Sequence, residues 1–255
     1  METNNIFNIR RLYLLIRRQL LSNATALLIA FGAVAGSLLV ISLFVAYFQP
    51  ANLAGLTGLY FTVMFIGGYI FTSNIFAELH QSQRSYQYLT LPVSITERVL
   101  SAWILTAVVF PLIAILSMAL IVFIANLVMN FTFDMEPFQS VFSPLSWAAI
   151  KVYVVTQSVF LLGAAYFRKN NFLKTVLSLF VISMVIQAIL ALSAWAIFSP
   201  LSETGGIQIG PQHMSEQMER LFLNYIPSVA RIIFWYLFAP FFLVVTWFSL
   251  KERQV

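Results

Sequence analysis

Cysteine is absent from the 255 residues and histidine occurs only twice. Disulfides, thiolate metal sites and cysteine nucleophiles are therefore excluded, without any indication of the redox compartment that the loops face. His80 and His213 lie in polar segments, and neither has a metal-binding partner at i+4, so a helical zinc motif is missing. Neither a Gly-x-Ser-x-Gly elbow nor a Gly-x-x-x-x-Gly-Lys phosphate loop occurs. The chain does not read as an enzyme, and it has no cofactor site of its own. Charge is scarce too: 9% of residues are Asp, Glu, Lys or Arg, against about 25% in a soluble domain. So few charges do not make a water-facing surface. The strand-type alternation of a transmembrane barrel is also lacking.

What the chain has is apolar length, with 60% of its residues hydrophobic. Six runs stand out, Ala24 to Phe48, Ala54 to Phe76, Val99 to Met129, Trp147 to Phe167, Thr175 to Phe198 and Ile232 to Leu250. Each is close to or above the roughly 20 residues that one spanning helix needs. The reading is an all-α integral membrane protein of six transmembrane helices (24–48, 54–76, 99–129, 147–167, 175–198, 232–250) with an N-terminal amphipathic interfacial helix. Val99 to Met129 is long and contains Pro111, which predicts a tilt, a kink or an end beyond the lipid, and Pro240 should bend the last span. Gly67 and Gly68, with Pro111, are places for bending or for close packing. Gly32 and Gly36 form a small-xxx-small pattern that permits close helix approach. No ionisable residue is central in any span, which removes the usual support for a proton-coupled carrier, an ion pump or a voltage sensor.

The net charge of +5 has an address. With the N-terminus inside, eleven of the fourteen Lys and Arg residues fall on the cytoplasmic side, and only Lys151, Arg220 and Arg231 fall outside. Six spans return the tail, 251–255, to the side of the N-terminus. Membrane topology explains the basic balance, so nucleic acid is not an expected partner. Residues 1–23 carry Ile9, Leu12, Tyr13, Ile16 and Leu20 on one helical face, with Arg10, Arg11, Arg17 and Arg18 opposite. Such a helix lies in the interface, its arginines meeting anionic headgroups or a cytoplasmic partner, unless it serves only as a positive-inside anchor. The polar segment 77–98 contains Ser94 and Glu97 at capping-box spacing, which opens the third spanning helix. The segment 199–231 reads as an outer loop with a short helix starting at Pro211, its Met214, Met218, Leu221 and Phe222 at helical spacing.

The stretch Tyr88-Leu89-Thr90-Leu91-Pro92-Val93-Ser94-Ile95-Thr96-Glu97-Arg98, together with the interfacial helix, six spans and large outer segment, resembles the membrane (permease) subunits of ABC-2 type ABC transporters. The resemblance implies that the cytoplasmic segment 77–98 is a coupling element. Glu78, Arg84, Tyr86, Tyr88, Pro92, Glu97 and Arg98 would meet a separate ATP-binding subunit, present in two copies, with Arg10 to Arg18 flanking it. ATP and Mg would act through that partner, since only five residues follow Leu250. A second permease subunit, identical or different, would complete the path, in a bacterial cytoplasmic membrane. The Phe-, Tyr-, Leu- and Met-rich spans would suit export of an amphiphilic, lipid-like or peptide cargo. Two other classes stay open: an ATPase-independent channel or carrier, and a non-transporting scaffold or sensor that uses 199–231. The absence of cysteine makes the topology directly measurable. A Gln254→Cys variant should react with an impermeant maleimide only after permeabilisation, whereas Gln208→Cys should react in intact cells; labelling of both in intact cells would reject the even number of spans.

Overall fold

A computed structural model describes residues 7–22, 24–49, 53–80, 91–133, 142–202 and 224–252, and no strand occurs among them. Helix α1 (Ile9–Ser22) is followed by α2 (Ala24–Phe48), α3 (Leu53–Ser73) and the single turn α4 (Ala77–His80). Then come α5 (Ile95–Ile104), α6 (Phe110–Phe133), α7 (Pro144–Tyr166), α8 (Asn171–Ser202), α9 (Ile226–Ile232) and α10 (Phe238–Glu252). Five-residue π turns at Leu105–Val109 and Ile233–Leu237 join α5 to α6 and α9 to α10, so each pair is one continuous helix. Six helices are long and apolar enough to span a membrane: α2, α3, α5–α6, α7, α8 and α9–α10. This is the all-α, six-span membrane architecture expected from the apolar runs. The third span covers 37 residues, ~55 Å at the α-helical rise, which exceeds a hydrocarbon core of ~30 Å. Its polar first turn, with Glu97 and Arg98, therefore extends past the apolar slab.

Helix α7 is the centre of the bundle. Half of its span is buried, against 6% for α8 and for α9–α10. Helices α3 and α10 pack against it, and α2 packs on α6. One apolar cluster joins Leu38, Tyr60, Met64, Met118, Ile121 and Tyr153, and a second joins Phe76, Val99, Ala102, Leu161, Ala164 and Leu250. Two contacts set how close the neighbours come. A β-carbon at Gly68 of α3 would lie 2.5 Å from Tyr153 Cε2, and one at Gly163 would lie 3.0 Å from Thr175 Cβ of α8. Gly68 is thus a packing residue, while Gly67 has only ordinary contact with Phe110, 3.8 Å away. Gly32 and Gly36 have nothing within 4 Å, so the small-residue pattern of α2 is not used among the described residues.

Both prolines expected to bend spans sit just after a π turn. In a regular helix the Pro111 ring would collide with the carbonyl of Ala107, and the wider π turn relieves that clash. Its bonds run from i to i−5, as the Phe110 N–H to Leu105 O bond shows. Residue 111 would serve Thr106 O next, but proline has no N–H. The Tyr153 hydroxyl of α7 fills the gap, donating to Thr106 O at 3.1 Å. The Thr106 hydroxyl donates to Ala102 O at 2.8 Å, and the Gln157 side-chain amide lies 3.0 Å from it. Tyr153, Gln157 and Thr106 are all buried, so an orphaned carbonyl here would have no water to turn to. Tyr153→Phe should cost about 1–2 kcal/mol, the penalty of a buried unsatisfied acceptor. In a Pro111→Ala background residue 111 regains its N–H, and the same change should cost much less. Thermal unfolding of the four variants in detergent checks this, and an equal cost in both backgrounds would refute the pairing.

Candidate functional site

The chemically distinctive groups gather at the end of the bundle where α1 lies. Asn8 caps α1: its carbonyl accepts from the Leu12 N–H at 3.0 Å and its side-chain oxygen from the Arg10 N–H at 2.9 Å. Leu12 and Leu15 are buried against the bundle, while Ile9 and Tyr13 are exposed. The four arginines separate into two pairs one heptad apart. Arg11 and Arg18 turn toward the bundle, whereas Arg10 and Arg17 are exposed. The sequence pattern places all four opposite the apolar face; tertiary partners draw two of them inward.

Those partners are Glu97 and Glu78, the acidic residues near the two ends of the segment 77–98. Ser94 caps α5 and forms a complete capping box with Glu97, as the spacing predicts. The carboxylate accepts from the Ser94 N–H at 2.8 Å, and the Glu97 N–H donates to Ser94 Oγ at 3.2 Å. The other Glu97 oxygen accepts from the Asn8 N–H at 2.6 Å and from Arg11 at 3.1 Å. In α1 the position that would hold a capping glutamate is Arg11, so Glu97 supplies that carboxylate from another helix. It is fully buried, which makes its charge-assisted bonds worth roughly 1.5–3 kcal/mol each. Arg11 also donates to Pro92 O at 3.4 Å, and Arg98, buried, donates to Leu91 O at 3.5 Å. Trp247 of α10 donates to Thr96 Oγ1 at 3.3 Å. The second ion pair, Arg18 to Glu78 at 3.4 Å, is partly solvated, with the two side chains 39% and 25% exposed.

Of the sequence-chosen residues, Glu78, Pro92, Glu97, Arg11 and Arg18 are thus brought together through α1, with Arg98 beside them. Arg84, Tyr86 and Tyr88 lie outside the described residues, as does the expected short helix after Pro211. Pro240 is exposed on the last span, and Pro111 is buried in the third. Sequence reasoning missed Asn8, Trp247 and Gln19. The Gln19 side chain lines a cavity of about 270 Å³ with Ser22, Phe71, Asn74 and Glu78, and neither of its polar atoms has a hydrogen-bond partner among the described residues. Only Asn8 carried a local signal, as a capping residue before a helical run. No group of three acidic or histidine side chains among the described residues could hold a metal ion. The arrangement can carry force and charge between elements. No family model, curated protein or solved structure matches this chain.

The two ion pairs should differ sharply in weight. Glu97→Ala removes the buried carboxylate from Arg11 and from the part-buried Asn8 and Ser94 N–H groups, and should cost about 3 kcal/mol. Arg18→Ala should cost under ~1 kcal/mol, as solvated pairs do. Melting temperatures in detergent at fixed lipid content rank the two, and a similar loss from both would remove Glu97 from its central place.

Proposed function

We propose that the chain is the permease subunit of an ATP-driven ABC-2 type transporter that exports an amphiphilic, lipid-like or peptide cargo. It works with a separate ATP-binding subunit in two copies and with a second permease subunit, in a bacterial cytoplasmic membrane with both termini inside. One observation carries the reading: Glu78 and Glu97, at the two ends of the segment between the second and third spans, are both held by α1. A push on that segment reaches α1, α3 and α5 together. That linkage suits a membrane chain driven by movement of a partner, and a plain solvated loop would not need it. The likeness of Leu91 to Arg98 to the ABC-2 stretch supports the same reading.

In this reading Glu78 and Glu97 position the coupling segment, and the direct contacts with the ATPase fall to Arg84, Tyr86 and Tyr88. ATP-driven closure of the partner tilts α3 and α5–α6, with the π turn before Pro111 as the place where the third span yields. The apolar surfaces of α8 and α9–α10, with 6% of their spans buried, leave room for a second permease subunit as well as lipid. The chain itself hydrolyses no nucleotide, and ATP with Mg acts in the partner.

The test is a mild-detergent purification of the tagged protein, with mass spectrometry of its partners and an ATPase assay on the eluate. A stoichiometric ATPase is expected, and it should be lost from an Arg84→Glu, Tyr86→Ala, Tyr88→Ala variant that still inserts in the membrane. An ATPase-free oligomer would refute the reading and favour an autonomous channel, carrier or scaffold.

A further inference from the structure

The two proline-bearing spans meet the same demand differently. In the third span the carbonyl that Pro111 leaves without an N–H is served by Tyr153. In the last span a π turn also precedes the proline, with the Phe238 N–H bonded to Ile233 O. Pro240 brings no N–H, so the carbonyl it would serve loses its donor: Trp235 O in the π register, Tyr236 O in the α register. Among the described residues no side chain donates to a carbonyl of Ile233–Leu237. Trp235, Tyr236 and Pro240 are all exposed, and a helical carbonyl lies beside the residue four positions on. The unmet acceptor therefore faces outward, where lipid offers it no hydrogen bond.

The preceding span holds the complementary group. From Val176 to Ser193 every residue of α8 is exposed except Ser178, which is half-buried, so this stretch stands clear of the other described helices on all sides. Its three serines are satisfied by their own helix: Ser178 donates to Lys174 O, Ser183 to Phe180 O and Ser193 to Ile189 O, each at 2.8 Å. Gln187 differs, because its side-chain amide has no hydrogen bond among the described residues. Apolar contact alone gives helices no reason to associate in lipid, whereas an amide that finds a partner across an interface does.

The donor and the acceptor lie at one depth. Thr175 of α8 abuts Gly163 of α7, and Leu250 of α10 packs in one cluster with Leu161 and Ala164 of α7, so Thr175 and Leu250 share a level. Gln187 is 12 residues past Thr175, and Phe238 is 12 residues before Leu250. Both are ~18 Å from that level, and on the same side of it, since α8 and α10 run in opposite directions. The carbonyls of Trp235 and Tyr236 point along the helix toward Phe238. Because Gln187 and the Pro240 face are each exposed, they do not meet within one chain.

We propose that these spans form the interface with a second, identical copy of the chain, in which Gln187 donates to the proline-freed carbonyl in the last span of the partner subunit. Under a two-fold axis along the membrane normal, α8 of each copy lies against α9–α10 of the other, and the bond is made twice. Ser183 and Ala191, one turn on either side of Gln187, are small enough to let the backbones come close. The inference rests on the transporter reading for the need of a second permease, and it names that permease as the same chain.

The test uses the full chain, expressed without any other subunit and reconstituted in lipid vesicles, with self-association followed by energy transfer between copies labelled at Gln254→Cys. A dimer is expected. Gln187→Leu should weaken it at least threefold, and Pro240→Ala, which restores the missing N–H, should weaken it by a similar factor. Combined, the two changes should weaken it no further than either alone. Losses that multiply would overturn the bond, and a monomeric wild-type chain would overturn the interface. Cross-linking locates the contact. With Ser183→Cys on one tagged copy and Val244→Cys on another, a short membrane-permeant thiol cross-linker should join unlike tags, whereas Ser183→Cys with Leu116→Cys of α6 should not. Linkage only when both cysteines share one chain would assign Gln187 to its own last span and overturn the proposal. A dimer with this cross-link but no co-purifying ATPase would refute the transporter reading and leave the interface standing.

Discussion

The buried carboxylate of Glu97 is bonded to the starts of two helices at once, and the arrangement of the α1 end follows from it. A charge there is tolerable only because the Ser94 N–H, the Asn8 N–H and the Arg11 guanidinium surround it. Removing any one of them raises the cost of the others. The interfacial helix is consequently part of the folded bundle rather than a tether beside it. The Leu91 to Ser94 strap, which bends so that the Val93 N–H meets Leu91 O at 2.8 Å, is held in the same way, with Arg98 and Arg11 donating to its carbonyls at Leu91 and Pro92.

A second constraint acts inside the spans, where the lack of water makes each freed backbone group a debt to be met by a neighbour. Proline creates such a group at Thr106, and α7 answers it with Tyr153. The same tyrosine occupies the space that Gly68 leaves by having no side chain. Three helices are thereby fixed to each other by one hydroxyl and one ring. Nearby, Tyr69 of α3 bonds Thr156 of α7 at 2.7 Å and stacks on Phe160, with centroids 4.1 Å apart. Polar pairing and aromatic packing thus act on one interface, which explains why α7 is the most buried span.

The spans were legible because length and hydrophobicity are local properties of a sequence, and the Ser94 to Glu97 box was legible because its partners are three residues apart. The two proline positions were also plain, though the π turns that absorb them were not. What could not be read is what depends on distant partners. Nothing near Arg11 or Arg18 distinguishes them from Arg10 and Arg17; the distinction comes from Glu97 and Glu78, 86 and 60 residues away in sequence. Gly163 and Thr175 are likewise unremarkable until α8 folds back on α7. Asn171 looks like any helix-start residue until one half of its amide is spent on Ser73.

The unequal ion pairs at the two ends of α1 have a mechanical consequence. The N-terminal grip is buried and multiply bonded, whereas the C-terminal one is a single partly solvated contact. A rod held this way behaves as a lever with its fulcrum at Asn8 and Arg11 and its free end at Arg18. Because α2 begins two residues after Ser22, the free end is also the end joined to the first span. Small rocking motions of that span would break and remake the weak contact while the fulcrum stays closed, so displacement is amplified where the restoring force is least.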